Sequence, residues 1–237
     1  MDGVSVAGWM MTGMAQNKQG SAVRPPRPPV FSLPEPRPFE GAGLAPEGDY
    51  DGLEFAGLDL TGADAPGAHF LDCALRDCVL DEAGLKRARI VDSLLSGVRG
   101  VGTVLAEAEL RDVEVRDGRF GGVQLGGATL NRVLVRGGKI DFLNLRQARL
   151  TDVAFVGCVL VEPDFGGARC ERVSFDGCEL RGADFHGATL REVDLRGASR
   201  LEVARGVDRL SGAVISPPQL FDLAPRLAAE LGVRVME

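Results

Sequence analysis

The sequence predicts an all-β repeat protein, a four-sided β-solenoid of about seven coils over residues 53–215 that ends in a C-terminal α-helical cap. Three observations lead to this prediction. A large apolar residue recurs every five positions through residues 53–197 without insertion or deletion. Alanine recurs at a spacing of twenty within that run. Helix-start signals follow only from Ser216 onward.

The five-residue period determines the local geometry. Its 29 central positions run from Phe55 to Leu195, and 26 of them are Leu, Phe, Ile or Val, the exceptions being Ala65, Gly100 and Cys170. The period advances roughly 72° per residue, which fits neither a helix nor a strand. Residues i−2 and i of an extended segment point to the same side, so each unit sends two side chains inward and leaves the rest for the surface and a corner. Gly100 removes a core side chain, which predicts a local void or a closer backbone approach.

The second period gives the number of sides. Every fourth unit repeats the same inward residue, so four units complete one coil and like residues stack in columns. At about 4.8 Å per layer, a little over seven coils give a rod roughly 35 Å long. One column contains Val113, Val133, Val153, Val173 and Val193, and the predicted core ladder contains Ala68, Ala88, Ala108, Ala128, Ala148, Ala168 and Ala188.

The units resemble those of a known family. Residues 183–187 (ADFHG) and 193–197 (VDLRG) match the A(D/N)LXX pattern of the pentapeptide-repeat family closely. The resemblance extends over residues 53–197 of 237. It implies the right-handed quadrilateral β-helix of that family.

Residues 1–50 are expected to form a disordered proline-rich arm. They contain eight of the thirteen prolines and show no apolar period. Residues 24–29 (RPPRPP) favour an extended chain, and a polyproline-reading partner domain is the alternative use of such a sequence. Trp9 lies in this arm and does not indicate a binding site. Either Met1 or Met14 could be the physiological start.

Residues 216–237 are expected to form the cap. Ser216 followed by two prolines is typical of a helix start, and the segment predicts one broken or two short helices. A terminal helix would cover the open core and unpaired backbone of the last coil. Resemblance to the quinolone-resistance members of the family also implies a homodimer through this segment. The predicted cap or dimer face contains Leu220, Leu223, Leu227 and Leu231.

Composition and length point to a cytoplasmic protein. Hydrophobic residues make up 45% of the chain, which supports a packed core, and the net charge is −7. No run approaches the roughly 20 apolar residues that cross a bilayer, so no membrane contact is predicted. Residues 1–20 lack the basic end and continuous apolar segment of a secretory signal.

The cysteines and histidines predict no disulfide, metal or other cofactor. Cys158 and Cys178 lie one coil apart, but the odd number of cysteines and a reducing compartment favour packed thiols. His69 and His186 fall on outward positions of different coils, where they cannot share a metal ion. All five cysteines are expected to face inward, namely Cys73, Cys78, Cys158, Cys170 and Cys178.

No catalytic arrangement is evident, so the protein is not expected to be an enzyme. The sequence has no GxSxG or Walker-type motif, and its histidines are isolated. Carboxylates do stack in one column, where like charges should raise one another's pKa unless arginines and solvent screen them. This possible acidic contact column contains Asp72, Asp92, Asp112 and Asp152.

Two functions remain open. The first is a noncatalytic protein–protein interaction scaffold, which the sequence favours. Its partner surface could be a set of outward apolar residues that share one side, although these could instead lie beneath the proline-rich arm. The set contains Val79, Val101, Phe142, Val159 and Val161.

The second function comes from the family resemblance. Some relatives resemble duplex DNA and protect DNA gyrase or topoisomerase IV from quinolones or toxins. Residues 53–197 carry 23 acids and 18 bases, whereas DNA of that length would carry roughly 20 negative charges. The stacked Arg99, Arg119 and Lys139 oppose mimicry of DNA, yet they are too few to predict direct nucleic-acid binding. A type II topoisomerase is therefore the alternative partner.

Overall fold

The computed structural model describes residues 23–33 and 35–236 and shows a parallel β-solenoid of about nine turns with a single C-terminal helix. The predicted fold class is confirmed. Trp9 and the two possible start residues, Met1 and Met14, lie outside the described ranges.

The four sides of a coil differ in strand length. Two adjacent sides join into one 12-stranded sheet, the third forms a 6-stranded sheet, and the fourth contributes isolated bridges such as Asn144 to Asp164. We call the third side the short-stranded face. The strands are β1 (Arg37–Pro38), β2 (Asp49–Asp51), β3 (Leu53–Ala56), β4 (His69–Leu71), β5 (Ala74–Arg76), β6 (Arg89–Ser96), β7 (Arg99–Val101), β8 (Glu109–Arg116), β9 (Arg119–Gly121), β10 (Thr129–Arg136), β11 (Lys139–Asp141), β12 (Arg149–Val156), β13 (Val159–Val161), β14 (Arg169–Asp176), β15 (Glu179–Asp184), β16 (Thr189–Asp194), β17 (Arg200–Arg205) and β18 (Ala213–Val214).

Neighbouring coils pair at a spacing of twenty residues. Val133 pairs with Val113 below it and with Val153 above it, and the same offset holds along β6 to β16. The offset becomes 21 where Leu180 pairs with Leu201, and it returns to twenty where Val193 pairs with Ala213. Side chains at equal positions therefore stack directly above one another.

The core is a set of stacked side chains. All seven alanines of the predicted ladder are buried, and so are the five cysteines, which are free thiols. Phe155 and Phe175 stack with ring centroids 5.0 Å apart, and Phe165 and Phe185 stack at the same separation. Offset stacking of this kind adds to the stabilisation from apolar burial.

At Gly100 the missing core side chain is partly replaced by a neighbouring residue. The Thr103 side chain fills the space beside Gly100, and its hydroxyl donates to the Leu80 carbonyl at 2.7 Å. An apolar internal cavity of about 80 Å³ lies nearby, bordered by Leu105, Phe120 and other core residues. Such a small apolar space is not a site for a polar ligand.

The solenoid extends beyond the predicted limits at both ends. Arg37 of β1 pairs with Leu53, and Asp49 of β2 pairs with His69, so residues 37–50 are not a disordered arm. Phe39 stacks on Phe55 with centroids 4.5 Å apart and covers the first coil. These additions, together with β17 and β18, raise the coil number from the predicted seven to about nine. The sequence concealed them because prolines and an inserted residue interrupt the five-residue period there.

The C-terminal segment forms one helix, α1 (Pro217–Glu230), which contains Pro225. Ser216 is its N-cap and forms a capping box with Gln219. The buried Gln219 amide also donates to the carbonyls of Leu195 and Ala198, at 2.8 and 3.2 Å. The helix thereby supplies a donor to the Ala198 carbonyl and a second donor to the Leu195 carbonyl, which also accepts from the Ala198 backbone N–H.

The predicted face of four leucines is divided in the structure. Leu223 is buried and Leu227 packs partly against the core. Leu220 and Leu231 are exposed instead, as is Phe221. The helix lies with Gln219 and Leu223 against the coil, where the Gln219 amide reaches the carbonyls of Leu195 and Ala198 and the Leu223 side chain is buried. No helix in the described ranges has the length and apolar character needed to cross a membrane.

Enlarging one ladder alanine tests the tightness of the core. Ala148→Leu should lower the free energy of unfolding by about 1–3 kcal/mol, because the fully buried side chain has no space to expand. Ala154→Leu is the matched control, since residue 154 faces outward and pairs with Leu134 of the coil below. Its effect should stay within about 0.5 kcal/mol. Urea unfolding followed by circular dichroism measures both, and equal losses would contradict this packing.

Candidate functional sites: the acidic corner and the short-stranded face

The predicted acidic column lies at one corner of the rod, between the two sides that form the 12-stranded sheet. Each of its residues occupies the second position after a core centre and has a φ between 48° and 58°, in the left-handed region. Asp tolerates this conformation better than most residues, which explains its frequency here. We call this column the acidic corner; it contains Asp72, Asp92, Asp112, Arg132, Asp152, Arg172 and Glu192.

Arginines interrupt the acidic corner in its upper half. Arg132 Nε donates to Asp112 Oδ1 at 2.6 Å, one coil below. Arg172 Nε donates to Asp152 Oδ1 at 2.7 Å in the same way. Asp112 and Asp152 are buried, so they are not the free acidic contact that the sequence predicted.

A segment of the proline-rich region covers the same corner. The Arg27 backbone N–H donates to Asp152 Oδ1 at 3.1 Å, and its Nε donates to Oδ2 at 2.8 Å. The Val30 backbone N–H donates to Asp112 Oδ1 at 3.1 Å. Arg24 forms a bidentate pair with Glu192, at 2.7 and 2.8 Å. Residues 24–30 therefore run along the rod from its later coils toward its earlier coils, opposite to the order in which the chain forms them. We call these residues the strap.

The pKa values of the carboxyls reflect these contacts. Burial alone would raise the pKa of Asp152, but hydrogen bonds from Arg172 and Arg27 outweigh it and hold the pKa far below its ordinary value. Arg132 lowers the pKa of Asp112 in the same way. The pKa of Asp92 is raised, first by burial and then by repulsion from Asp112 and Asp72. The predicted mutual repulsion therefore holds at Asp92 and is reversed where arginines intervene.

The short-stranded face carries the basic strip and part of the apolar set. Arg99, Arg119 and Lys139 pair in register on three successive coils. Lys139 Nζ lies 2.8 Å from Asp141 Oδ2. Val79 and Val159 extend this column below and above the strip, and both are half-buried.

Beside this strip lie the two large apolar side chains that are most exposed within the coils of the rod. Val101 is 63% exposed, and Phe142, at the adjoining corner, is 57% exposed. Val101, Gly121, Asp141 and Val161 occupy the same position on four successive coils. Gly121 has no side chain, so a shallow depression lies between Val101 and Asp141. The strap contacts the acidic corner, so it does not cover this face. These outward apolar residues therefore lie outside the area that residues 24–30 cover.

The two histidines do not lie together, and the described residues form no metal site. His69 Nδ1 lies 3.0 Å from Asp49 Oδ1 at the exposed lower end of the rod, whereas His186 lies near the upper end on another side. Within residues 23–33 and 35–236, no three His, Cys, Asp or Glu side chains are grouped as metal ligands.

Sequence reasoning missed the strap, although a signal was present. Of residues 25–30, only Arg27 and Val30 have a backbone N–H, because the other four are prolines. Both of these N–H groups donate to corner carboxylates. A three-residue spacing of donors beside a column of acids could have suggested the contact.

Parallel coils of four five-residue units define a class of repeat protein, the quadrilateral β-solenoids. Two family models match this chain: one for a pentapeptide repeat region, over residues 68–145, and one for pentapeptide repeats, itself eight copies long, over residues 164–199. The protein belongs to the pentapeptide-repeat family.

Solved structures of the same family are similar to this chain. HetL, involved in heterocyst differentiation regulation in the cyanobacterium Nostoc sp., is 20% identical, with 71% of this chain and 90% of HetL covered and a TM-score of 0.39. Full-length QnrB1, a plasmid-mediated fluoroquinolone resistance protein, is 15% identical, with coverages of 78% and 97% and a TM-score of 0.35. A trypsin-treated QnrB1 variant is 18% identical, with coverages of 84% and 96% and a TM-score of 0.32. No curated protein sequence matches the chain.

Two substitutions at the acidic corner should have opposite effects. Asp92→Asn should raise the melting temperature at pH 7 by roughly 1–2 °C, because it removes an unfavourable charge. Asp152→Asn should lower the free energy of unfolding by about 2 kcal/mol, because two guanidiniums lose their shared acceptor. Asn tolerates the left-handed region, so neither change adds backbone strain.

The pH dependence distinguishes the two effects. The pKa of Asp92 is raised in the folded state, so its contribution to stability is fully present below the unfolded pKa of about 3.9 and is lost as pH rises through the folded pKa. The pKa of Asp152 is lowered, so its contribution is present above that unfolded pKa and is lost as pH falls. Lowering the pH to 3 should therefore remove most of the effect of Asp92→Asn but only part of the effect of Asp152→Asn, because the folded pKa of Asp152 lies far below its ordinary value. Melting curves from pH 7 to pH 3 measure this, and shifts of the same sign would contradict the assignment.

Proposed function

We propose that this protein is a noncatalytic scaffold for protein–protein contact and that the short-stranded face binds its partner. The observation that carries this proposal is the exposure of Val101 and Phe142 beside a basic strip, on a protein whose net charge is −7. Exposed apolar groups surrounded by polar and charged residues are typical of interaction surfaces. The matching partner surface would be apolar at its centre and acidic at its edge.

The rigidity of the face supports this role. The backbone of β9 pairs with β7 below and β11 above, so the side chains it presents are held in place before any partner arrives. Binding to a preorganised surface loses little conformational entropy. Gly121 adds a depression in which a partner side chain could insert beside Val101.

Introducing a charge at Val101 tests the proposed face. A photo-crosslinking residue at position 142 would first capture and identify the partner. Val101→Asp should then weaken its affinity at least tenfold, since a carboxylate would replace the exposed apolar group at the centre of the contact. Leu71→Asp is the matched control, because Leu71 is also exposed and also follows a core centre, but lies on another side. Equal loss in both variants, or loss only in Leu71→Asp, would refute the assignment.

A DNA-mimic protector or inhibitor of DNA gyrase or topoisomerase IV is the second candidate function. Acidic charge at the lower end favours it, because residues 53–127 contain 13 acids and 8 bases. Asp72 and Asp77 occupy corner positions in this part of the rod. The neutralised Asp112 and Asp152 and the basic strip weigh against it.

Gyrase supercoiling separates the two candidates. Purified gyrase would be titrated with this protein with and without ciprofloxacin. Inhibition, or rescue from the drug, that weakens in an Asp72→Asn, Asp77→Asn double variant would favour the mimic. If micromolar protein has neither effect, the topoisomerase role is excluded.

A homodimer through the C-terminal segment is proposed on the basis of its exposed apolar residues. Phe221 is 76% exposed on α1, next to Leu220, and Leu231 is exposed just beyond the helix. Light scattering at micromolar concentration should give a dimer for the wild type and a monomer for Phe221→Asp. Asp222→Ala, a change at an exposed neighbour, should remain dimeric. A monomeric wild type would contradict this proposal.

A further inference from the structure

The strap contacts the acidic corner at a regular interval. Arg24 contacts Glu192, Arg27 contacts Asp152 and Val30 contacts Asp112. Each step of three residues along the strap corresponds to a step of forty residues along the rod, or two coils. The half-buried residues follow the same period, since Val23, Pro26 and Pro29 are half-buried while the residues between them are exposed.

The two periods agree in length for a physical reason. A polyproline II helix has three residues per turn and rises about 3.1 Å per residue, so one turn advances roughly 9.3 Å. Two coils at about 4.8 Å advance roughly 9.6 Å. Four prolines in residues 25–30 restrict φ to the polyproline II range. The strap can therefore present the same side to a carboxylate on every second coil without distortion.

The backbone donors of the strap are matched to the corner. Arg27 and Val30 supply the only N–H groups in residues 25–30, and each donates to a buried carboxylate. Arg132 and Arg172 lie on the alternate coils and hold those carboxylates from the other side. The corner thus offers acids at Asp112, Asp152 and Glu192, spaced two coils apart.

We propose that Asp112, Asp152 and Glu192 of the acidic corner form a peptide-binding site for arginine- and proline-rich segments in the polyproline II conformation, with Arg at three-residue spacing, and that the strap is its resident occupant within the same chain. Recognition rests on carboxylates that accept from a backbone N–H and from a guanidinium together. This differs from the aromatic grooves that usually bind proline-rich segments. An external segment of the same chemistry would compete with the strap.

The test is whether a separate strap peptide binds to a full-length variant whose own strap no longer holds the corner. Arg24→Ala, Arg27→Ala should free the corner, and the probe is a fluorescein-labelled peptide of residues 22–33. Fluorescence anisotropy should show saturable binding to this variant and at least tenfold weaker binding to the wild type, whose corner is occupied. A peptide with both arginines replaced by alanine should bind at least tenfold more weakly, because each charged hydrogen bond is lost.

Two controls separate this site from nonspecific attraction. Adding Asp152→Asn to the released variant should abolish peptide binding, whereas adding Asp72→Asn, at the same corner but outside the observed strap contacts, should leave it unchanged. Circular dichroism confirms that each variant retains its fold. Absence of binding to the folded released variant, or binding that persists with Asp152→Asn, overturns the proposal. A wild-type dimer that becomes monomeric only in the released variant overturns the assignment of the strap to its own chain.

Discussion

Parallel pairing at an offset of twenty residues is the constraint on which this molecule depends. Because each coil repeats the one below at the same offset, equal positions form straight columns, as with Val113, Val133 and Val153. Each residue then lies against the residues at the same position one coil below and one coil above, so a column must consist of side chains that can stack on one another. Alanines and phenylalanine rings do this without adjustment, and tight packing makes each column sensitive to a change in volume.

The same constraint creates a difficulty for charge at the corners. Carboxylates in one column lie roughly one layer apart, and repulsion from Asp112 and Asp72 adds to the effect of burial in raising the pKa of Asp92. Higher in the corner the chain relieves it with Arg132 and Arg172 on alternate coils, and with the strap. A column that reads as an acidic stripe in the sequence is therefore a network of paired charges. Its use as a DNA-like surface is limited to the lower coils.

The repeating interior could be predicted from sequence because it obeys two periods that reinforce each other. The ladder from Ala68 to Ala188 is buried throughout, and Ser216 caps the helix as its sequence suggests. The ends could not be predicted in the same way. Phe39 covers the first coil through ring contacts with Tyr50 and Phe55 that follow neither period, and the orientation of α1 depends on carbonyls of a coil some twenty residues earlier.

The sequence predicted many of the residues in the candidate sites, but it predicted less well how those residues are arranged. The apolar and basic groups of the short-stranded face were found because they follow the twenty-residue offset. The strap could not be predicted in this way, because its contacts join residues that are 82 to 168 positions apart in the sequence and follow a period of three. The inward residues of each unit maintain the fold. Any function of this protein therefore depends on the side chains in the outer columns.

Hydrogen exchange at the Val30 amide in two coil-deletion variants tests most directly the claim that one strap turn spans two coils. Removing residues 73–92 takes out one coil below the strap, whereas removing residues 113–132 takes out one coil between Asp112 and Asp152. Both rods should remain folded, since each deletion joins equivalent positions. We expect Val30 protection to persist in the first variant and to be lost in the second, where the two acids lie only one coil apart. Equal exchange in both variants would contradict the account.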